Sequence, residues 1–242
     1  MKEAFSMGDD PSEPEQNALS RFINEASEPM NIWPTAFPGF RPQIYDYYTR
    51  VLAFARKLMQ AFALALDLPE NYFDKTTTFP MTGVRILHYP PQETPDASDI
   101  GIGAHTDYTF FTLVQQENVA ALQVLNANGI WIDALPRPRS YVVNVGDFLS
   151  LITNNEFKST VHRVLNKSGE ERYSIPFFFS PNKEATLDVV PTCRMGEGGK
   201  GVNAGEYYLE RLRAARWKHP SNAGKPAPKV QDVVRGEIKV GI

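Results

Sequence analysis

The text between residues 83 and 190 constrains this chain most: short segments rich in Val, Ile, Thr and aromatic residues alternate there with turn residues, as a set of β-strands would. About eight such segments can be marked, at 83–89, 100–105, 109–115, 121–125, 130–134, 141–145, 159–165 and 172–179, with 186–190 as a candidate ninth. The pair flanking Asn126-Ala127-Asn128-Gly129 reads as a hairpin, because Asn and Gly tolerate the positive φ of tight turns. Helical spacing appears ahead of this region. From Pro42 to Leu66 the residues Ile44, Tyr48, Val51, Leu52, Ala55, Leu58, Met59, Phe62 and Leu66 recur at three and four, which predicts one long amphipathic helix ending near Pro69. Residues 1–40 read as loop with one short helix. Asn203, three before Glu206, opens a capped helix over 207–217, and the Pro-, Lys- and Gly-rich stretch after Pro220 reads as a loosely held tail.

A mainly β domain with flanking helices is the expected fold class, and 242 residues with 42% hydrophobic content suffice for a single substantial core. Lys and Arg number 25 against 28 Asp and Glu, so no basic surplus points to nucleic acid or to an anionic membrane. A small-molecule partner is favoured, with the oligomeric state left open. No apolar run reaches the roughly 18 residues that span a bilayer, and the acidic first 16 residues lack the pattern of a signal peptide. Cys193 is the only cysteine, which excludes an internal disulfide and suits a reducing compartment. A cytoplasmic protein is the expectation.

Several polar residues stand at spacings that carry chemistry. Side chains at i and i+2 of a strand share a face, so His105 and Asp107 point the same way, and His162 lies in a later strand. Two histidines and one carboxylate leave open positions on one side of iron(II), as dioxygen chemistry requires. An isolated H-x-D arises by chance in many proteins, and a lone strand histidine is commonly a hydrogen-bonded core residue. Arg172 and Ser174 repeat the i, i+2 pattern inside the apolar run Arg-Tyr-Ser-Ile-Pro-Phe-Phe-Phe. An unpaired arginine is costly there, and a carboxylate ligand, gripped through two parallel hydrogen bonds, removes that cost.

Taken in order, His105-Thr106-Asp107, Asn144-Val145-Gly146-Asp147, Ser159-Thr160-Val161-His162-Arg163-Val164 and Arg172-Tyr173-Ser174 resemble the signatures of the iron(II)- and 2-oxoglutarate-dependent dioxygenases, in the branch similar to isopenicillin N synthase. Arg85-Ile86-Leu87-His88-Tyr89-Pro90-Pro91 resembles the family segment whose tyrosine reaches the co-substrate. The resemblance covers residues 1–217, read as one dioxygenase domain with its barrel at about 80–190 and a tail over 218–242. It implies a double-stranded β-helix, a cupin-like jelly-roll barrel. It also implies His105, Asp107 and His162 as iron(II) ligands, and Arg172, Ser174 and Tyr89 as contacts to 2-oxoglutarate. The implied reaction couples decarboxylation of 2-oxoglutarate to succinate with oxidation of a small organic molecule by dioxygen, in the manner of secondary metabolism. Two alternatives stand beside it: an iron oxidase acting without 2-oxoglutarate, and a non-catalytic, shortened member of the family.

Three features depart from the family pattern. Thr109 stands where Gly is common, and Ile152-Thr153-Asn154-Asn155 stands in place of Trp-Thr-Asn-Gly. The N-terminal region that relatives carry is expected to be missing ahead of Met1. Arg85 and Phe178 share strand parity with the co-substrate residues and are candidate substrate contacts, the first for an acidic group; a salt bridge and a plain core position are the respective alternatives. His88 reads as structural, His219 as solvated, Asn144 and Asp147 as a turn that positions the next segment, and Arg211, Arg213, Arg216 and Lys218 as an exposed helix side.

Overall fold

Two antiparallel sheets face each other in the computed structural model, which describes residues 2–8, 31–91, 100–198 and 200–215. The strands are β1 (Glu3–Gly8), β2 (Pro80–Tyr89), β3 (Ile100–His105), β4 (Phe111–Gln116), β5 (Leu122–Leu125), β6 (Trp131–Asp133), β7 (Val142–Val145), β8 (His162–Leu165) and β9 (Arg172–Asn182), with the short pair β10 (Thr186–Leu187) and β11 (Val202–Asn203). The helices are α1 (Phe40–Ala65), α2 (Asp147–Ile152) and α3 (Ala204–Ala215). One sheet has the order β1-β2-β9-β4-β7 and the other β3-β8-β5-β6. From β2 to β9 the chain changes sheet at every connection except the β5–β6 hairpin, the strand order of a jelly roll.

The two faces of the five-stranded sheet differ because side chains alternate along each strand. Its outer face, with Val84, Phe111, Leu113, Phe177 and Phe179, packs against Tyr48, Val51, Leu52, Ala55, Met59 and Ala63 of α1. The predicted helical face is therefore the one buried, and Pro42 falls in the first turn, where its missing N–H costs nothing. The inner face, with Leu87, Tyr89, Val114 and Val142, meets Leu122 and Val164 from the second sheet. In the β5–β6 hairpin Gly129 has φ +73°, and Asn126 Oδ1 accepts hydrogen bonds from the N–H groups of Asn128 and Ile130. Asn154 and Asn155, at φ +51° and +63°, take the backbone conformation that glycine would supply.

β1 corrects the expectation of loop over 1–40. Phe5 and Met7 alternate with the small residues Ala4, Ser6 and Gly8 and turn to the core beneath α1, so a short strand pairs along β2 from Glu3↔His88 to Gly8↔Gly83. Two charges and a serine among the first residues hide that alternation from composition. α3 begins at Ala204, and Asn203 Oδ1 accepts from the Glu206 N–H as the predicted cap. The short helix expected within 1–40, the last two residues of the helix expected over 207–217, the tail over 218–242 and His219 lie wholly or partly outside the described residues.

Candidate metal centre

β3 and β8 are hydrogen-bonded neighbours and pair His105 directly with His162, whose ring centroids lie 4.2 Å apart. Asp107 follows in the turn after β3 and brings a carboxylate between them. His105 Nε2 is 3.7 Å from Asp107 Oδ1, and His162 Nε2 is 3.8 Å from Asp107 Oδ2. One ligand atom from each of the three residues falls within 4.8 Å of the others. Sequence spacing joined His105 to Asp107; the β3–β8 register adds His162.

Both rings are oriented from behind. His105 Nδ1 lies 2.8 Å from the Gly103 carbonyl and His162 Nδ1 lies 3.1 Å from the Thr160 carbonyl. A carbonyl only accepts, so each Nδ1 donates, which leaves Nε2, the atom that faces Asp107, as the ligand position. Burial, reinforced by neighbouring His162, holds His105 below the ordinary imidazole value and favours the neutral ligand form. Asp107 Oδ2 accepts from the Thr112 hydroxyl at 2.6 Å and from Asn144 Nδ2 at 2.8 Å. These two donors sit on inner-face positions of β4 and β7, so the opposite sheet tethers the carboxylate. A donor set of two imidazoles and one anchored carboxylate fits a divalent first-row metal.

A second cluster lies on β2 and β9 of that opposite sheet. Arg172 is 1% exposed, yet its partners are neutral: Nε donates to the Val119 carbonyl, Nη1 to Ser174 Oγ at 3.4 Å and Nη2 to Gln116 Oε1 at 3.2 Å. Among the described residues no carboxylate pairs with it. Register places Tyr89 opposite Arg172, with the guanidinium carbon 5.0 Å from the ring centroid. The Tyr89 hydroxyl is buried with no hydrogen-bond partner, and burial raises its pKa, so it stays a phenol with a proton to donate. A buried cation without an anion and a buried donor without an acceptor are both costly, and one carboxylate ligand satisfies both. The residues present therefore fit 2-oxoglutarate as well as a metal. Gly101 on β3 belongs to this packing, since a Cβ there would lie 2.8 Å from the Tyr89 ring.

The weaker candidates divide. Phe178 lies on the inner face, half-buried beside Gly83 and Thr112, while Phe177 and Phe179 point outward into the core. Arg85 is on the inner face of β2, where its Nε donates to Ser6 Oγ at 3.2 Å, and no carboxylate pairs with it among the described residues. His88 faces outward between Glu3 and Glu171, as a structural residue does. Arg211 corrects the exposed-helix reading: its side chain is 10% exposed and pairs with Asp147, because the helix docks on the turn after β3 and covers this position. Sequence reasoning passed over Thr112, Gln116 and Val119, and took Asn144 only as part of a turn. Each becomes visible once strand pairing sets it beside a charged group, and only the parity of Asn144 with Val142 could have signalled it.

The 2OG-Fe(II) oxygenase superfamily model matches residues 81–181. The 2-oxoglutarate-Fe(II) type oxidoreductase hxnY of Emericella nidulans is 43% identical over 177 residues, which cover 70% of this chain and 51% of that protein. A homoarginine-6-hydroxylase of Oryza sativa is 36% identical over 202 residues, 78% of this chain and 61% of that one. Among solved structures, a full-length Neurospora crassa protein in complex with alpha-KG and 5-formyluracil superposes with a TM-score of 0.78 at 31% identity, covering 88% of this chain and 69% of that one. A 2OG-Fe(II) oxygenase family protein from Caulobacter crescentus gives 0.76 at 31% identity, with 89% and 70% covered. The chain thus spans about half the length of the first of these curated relatives.

Proposed function

Because the chain belongs to the 2OG-Fe(II) oxygenase superfamily, we propose that it oxidises a small organic molecule with dioxygen, using iron(II) and 2-oxoglutarate. The single observation that carries this reading is the convergence of an oriented His105-Asp107-His162 set with an unpaired Arg172 and an unsatisfied Tyr89 hydroxyl. Bound iron(II) and 2-oxoglutarate supply oxidative decarboxylation to succinate and carbon dioxide together with oxidation of a C–H bond. The chain's own residues do the rest. His105, Asp107 and His162 hold the metal from one side; Arg172, Ser174 and Tyr89 grip a carboxylate of the co-substrate; Leu87, Leu122 and Val164 keep water from the space between.

Arg85 and Phe178 are the proposed substrate contacts, a guanidinium for an acidic group and a ring for an apolar one. The absence of a carboxylate beside Arg85 among the described residues supports the first. Similarity to a homoarginine hydroxylase and to a protein solved with 5-formyluracil supports a small molecule over a nucleic acid. Within this reading residues 1–217 form one domain and 218–242 a tail, supported by β1 pairing in the same sheet as the barrel strands. The lone Cys193 suits a cytoplasmic location; among the described residues no helix is long and apolar enough to cross a membrane.

Anaerobic titration with iron(II) and 2-oxoglutarate is expected to develop the weak visible charge-transfer band of the chelated complex, and His162→Ala or Arg172→Ala to abolish it. A folded wild-type protein that never develops the band sinks the reading. For Arg85, substrates bearing a carboxylate are expected to stimulate succinate release more than their amides, with Arg85→Leu raising KM by roughly tenfold, the loss of one charge-assisted hydrogen bond. Equal response to acid and amide removes Arg85 from the substrate site.

A further inference from the structure

Thr106 stands between the two metal-ligand candidates of the β3 turn, and its side chain is held from outside the barrel. Its hydroxyl donates to Asp147 Oδ2 at 3.1 Å, and Arg211 Nη2 donates both to that same carboxylate oxygen and to Thr106 Oγ1 at 3.3 Å. The Asp147 N–H donates to the Asp107 carbonyl at 2.7 Å. Asp147 therefore grips the turn by side chain and by backbone, and an arginine from α3 grips Asp147. Both charged side chains are largely buried, with 10% and 17% of their surface exposed. Ring contacts extend the docking: Tyr208 meets Tyr108 edge-on at 5.2 Å, and Tyr207 meets Phe148 at 5.4 Å.

We propose that α3 is a clamp on the metal-binding turn and that Arg211 is a positioning residue, which fixes His105 and Asp107 at the separation a metal requires. The proposal rests on the metal-binding reading above and extends it to a helix that lies beyond the matched residues 81–181. Its logic is geometric. His105 and Asp107 can face one point only if the residue between them faces away, and Thr106 faces away into a hydrogen-bonded socket. A guanidinium is suited to that socket because the two N–H groups of its planar Nη2 point in fixed directions, one for each oxygen, whereas a lysine ammonium must be ordered to do the same. A bound metal fixes the same turn, so metal binding and α3 docking strengthen each other; the coupling is reciprocal by linkage.

The test uses cobalt(II) as an air-stable probe, with affinity read by calorimetry and site geometry by its visible ligand-field spectrum, alongside hydrogen exchange of the metal-free protein. Arg211→Met is expected to weaken cobalt(II) binding on the order of tenfold, the usual loss when a group behind a metal ligand is removed. It is also expected to speed exchange of the amides over 105–109 without metal. Thr106→Val leaves the Arg211–Asp147 pair in place and guards against a variant that fails to fold; a smaller change of the same sign is expected. In wild-type protein cobalt(II) is expected to slow exchange over 204–215, and in Arg211→Met that slowing is expected to be lost. Wild-type affinity in folded Arg211→Met, or unchanged exchange at 105–109, overturns the clamp. If the wild-type protein binds no cobalt(II), the metal reading fails by itself, and exchange at the turn still decides whether α3 holds it.

Discussion

On the proposed reading, Tyr89 is a side chain that burdens the protein alone and would become an asset once a carboxylate is bound. The Tyr89 hydroxyl is buried without a partner, and an unsatisfied buried polar group costs about 1–3 kcal/mol. Tyr89→Phe is therefore expected to raise the stability of the ligand-free protein by about 1 kcal/mol in urea titrations, while weakening 2-oxoglutarate on the order of tenfold, since a hydrogen bond to a carboxylate is lost. A loss of stability together with unchanged 2-oxoglutarate binding would place the hydroxyl outside the site. H-x-D and R-x-S were legible in the sequence because each pair lies within one strand or its turn, where parity alone decides which way the side chains face. Thr112, Asn144 and Gln116 were not, since what each does depends on a partner strand's register. Arg211 was misread for a related reason. A cluster of arginines on a helix looks solvated until the partner covering one of them is known, and Asp147 is 64 residues away in sequence.

At the scale of elements, β1 is held at the sheet edge by an ionic clasp as well as by its ladder. His88 on β2 lies 2.7 Å from Glu3 on β1 and 2.8 Å from Glu171 just ahead of β9, with its ring stacked on Tyr173 at 4.6 Å. The hydrogen bond to Glu3, then that to Glu171, raises the His88 pKa above its ordinary value. A histidine whose pKa is raised on folding lends stability that is complete below the ordinary value of about 6.5 and disappears as pH climbs through the higher folded value. Thermal midpoints of the wild-type protein minus those of His88→Gln are thus expected to be largest in mild acid and to shrink on the alkaline side of neutrality. A pH-independent difference contradicts the clasp. α1 was legible from end to end, since twenty-six residues give periodicity room to show. β1 was not, because six residues with two inward apolar positions fall below what pattern reading separates from loop. Gly129 marks the opposite case, in which a rule about positive φ named a turn residue before any geometry was known.

The molecule as a whole is organised by the five-stranded sheet, which turns one face to α1 and the other to the site. Phe177 lies at the middle of the outer face, fully buried, between Val84 and Leu113 in register and 5.9 Å from the Tyr48 ring. Phe177→Ala is expected to cost about 3–5 kcal/mol in chemical denaturation, the usual range for emptying an aromatic core position. A loss below about 1 kcal/mol would mean that α1 does not bear on the sheet as described. The barrel strands and the long helix were legible because they follow from local periodicity, and the jelly-roll class because the ordered motifs resemble a family that has that fold. Which sheet bears which functional group was not. His105 and His162 belong to the four-stranded sheet, and Tyr89, Arg172 and Ser174 to the five-stranded one. On the proposed reading the gap between the sheets would work as a calliper, with the metal held at one jaw and a carboxylate of the co-substrate gripped by Tyr89, Arg172 and Ser174 at the other. Chain length would then be measured before any chemistry begins, and a keto acid one carbon shorter or longer than 2-oxoglutarate would satisfy one jaw but not both.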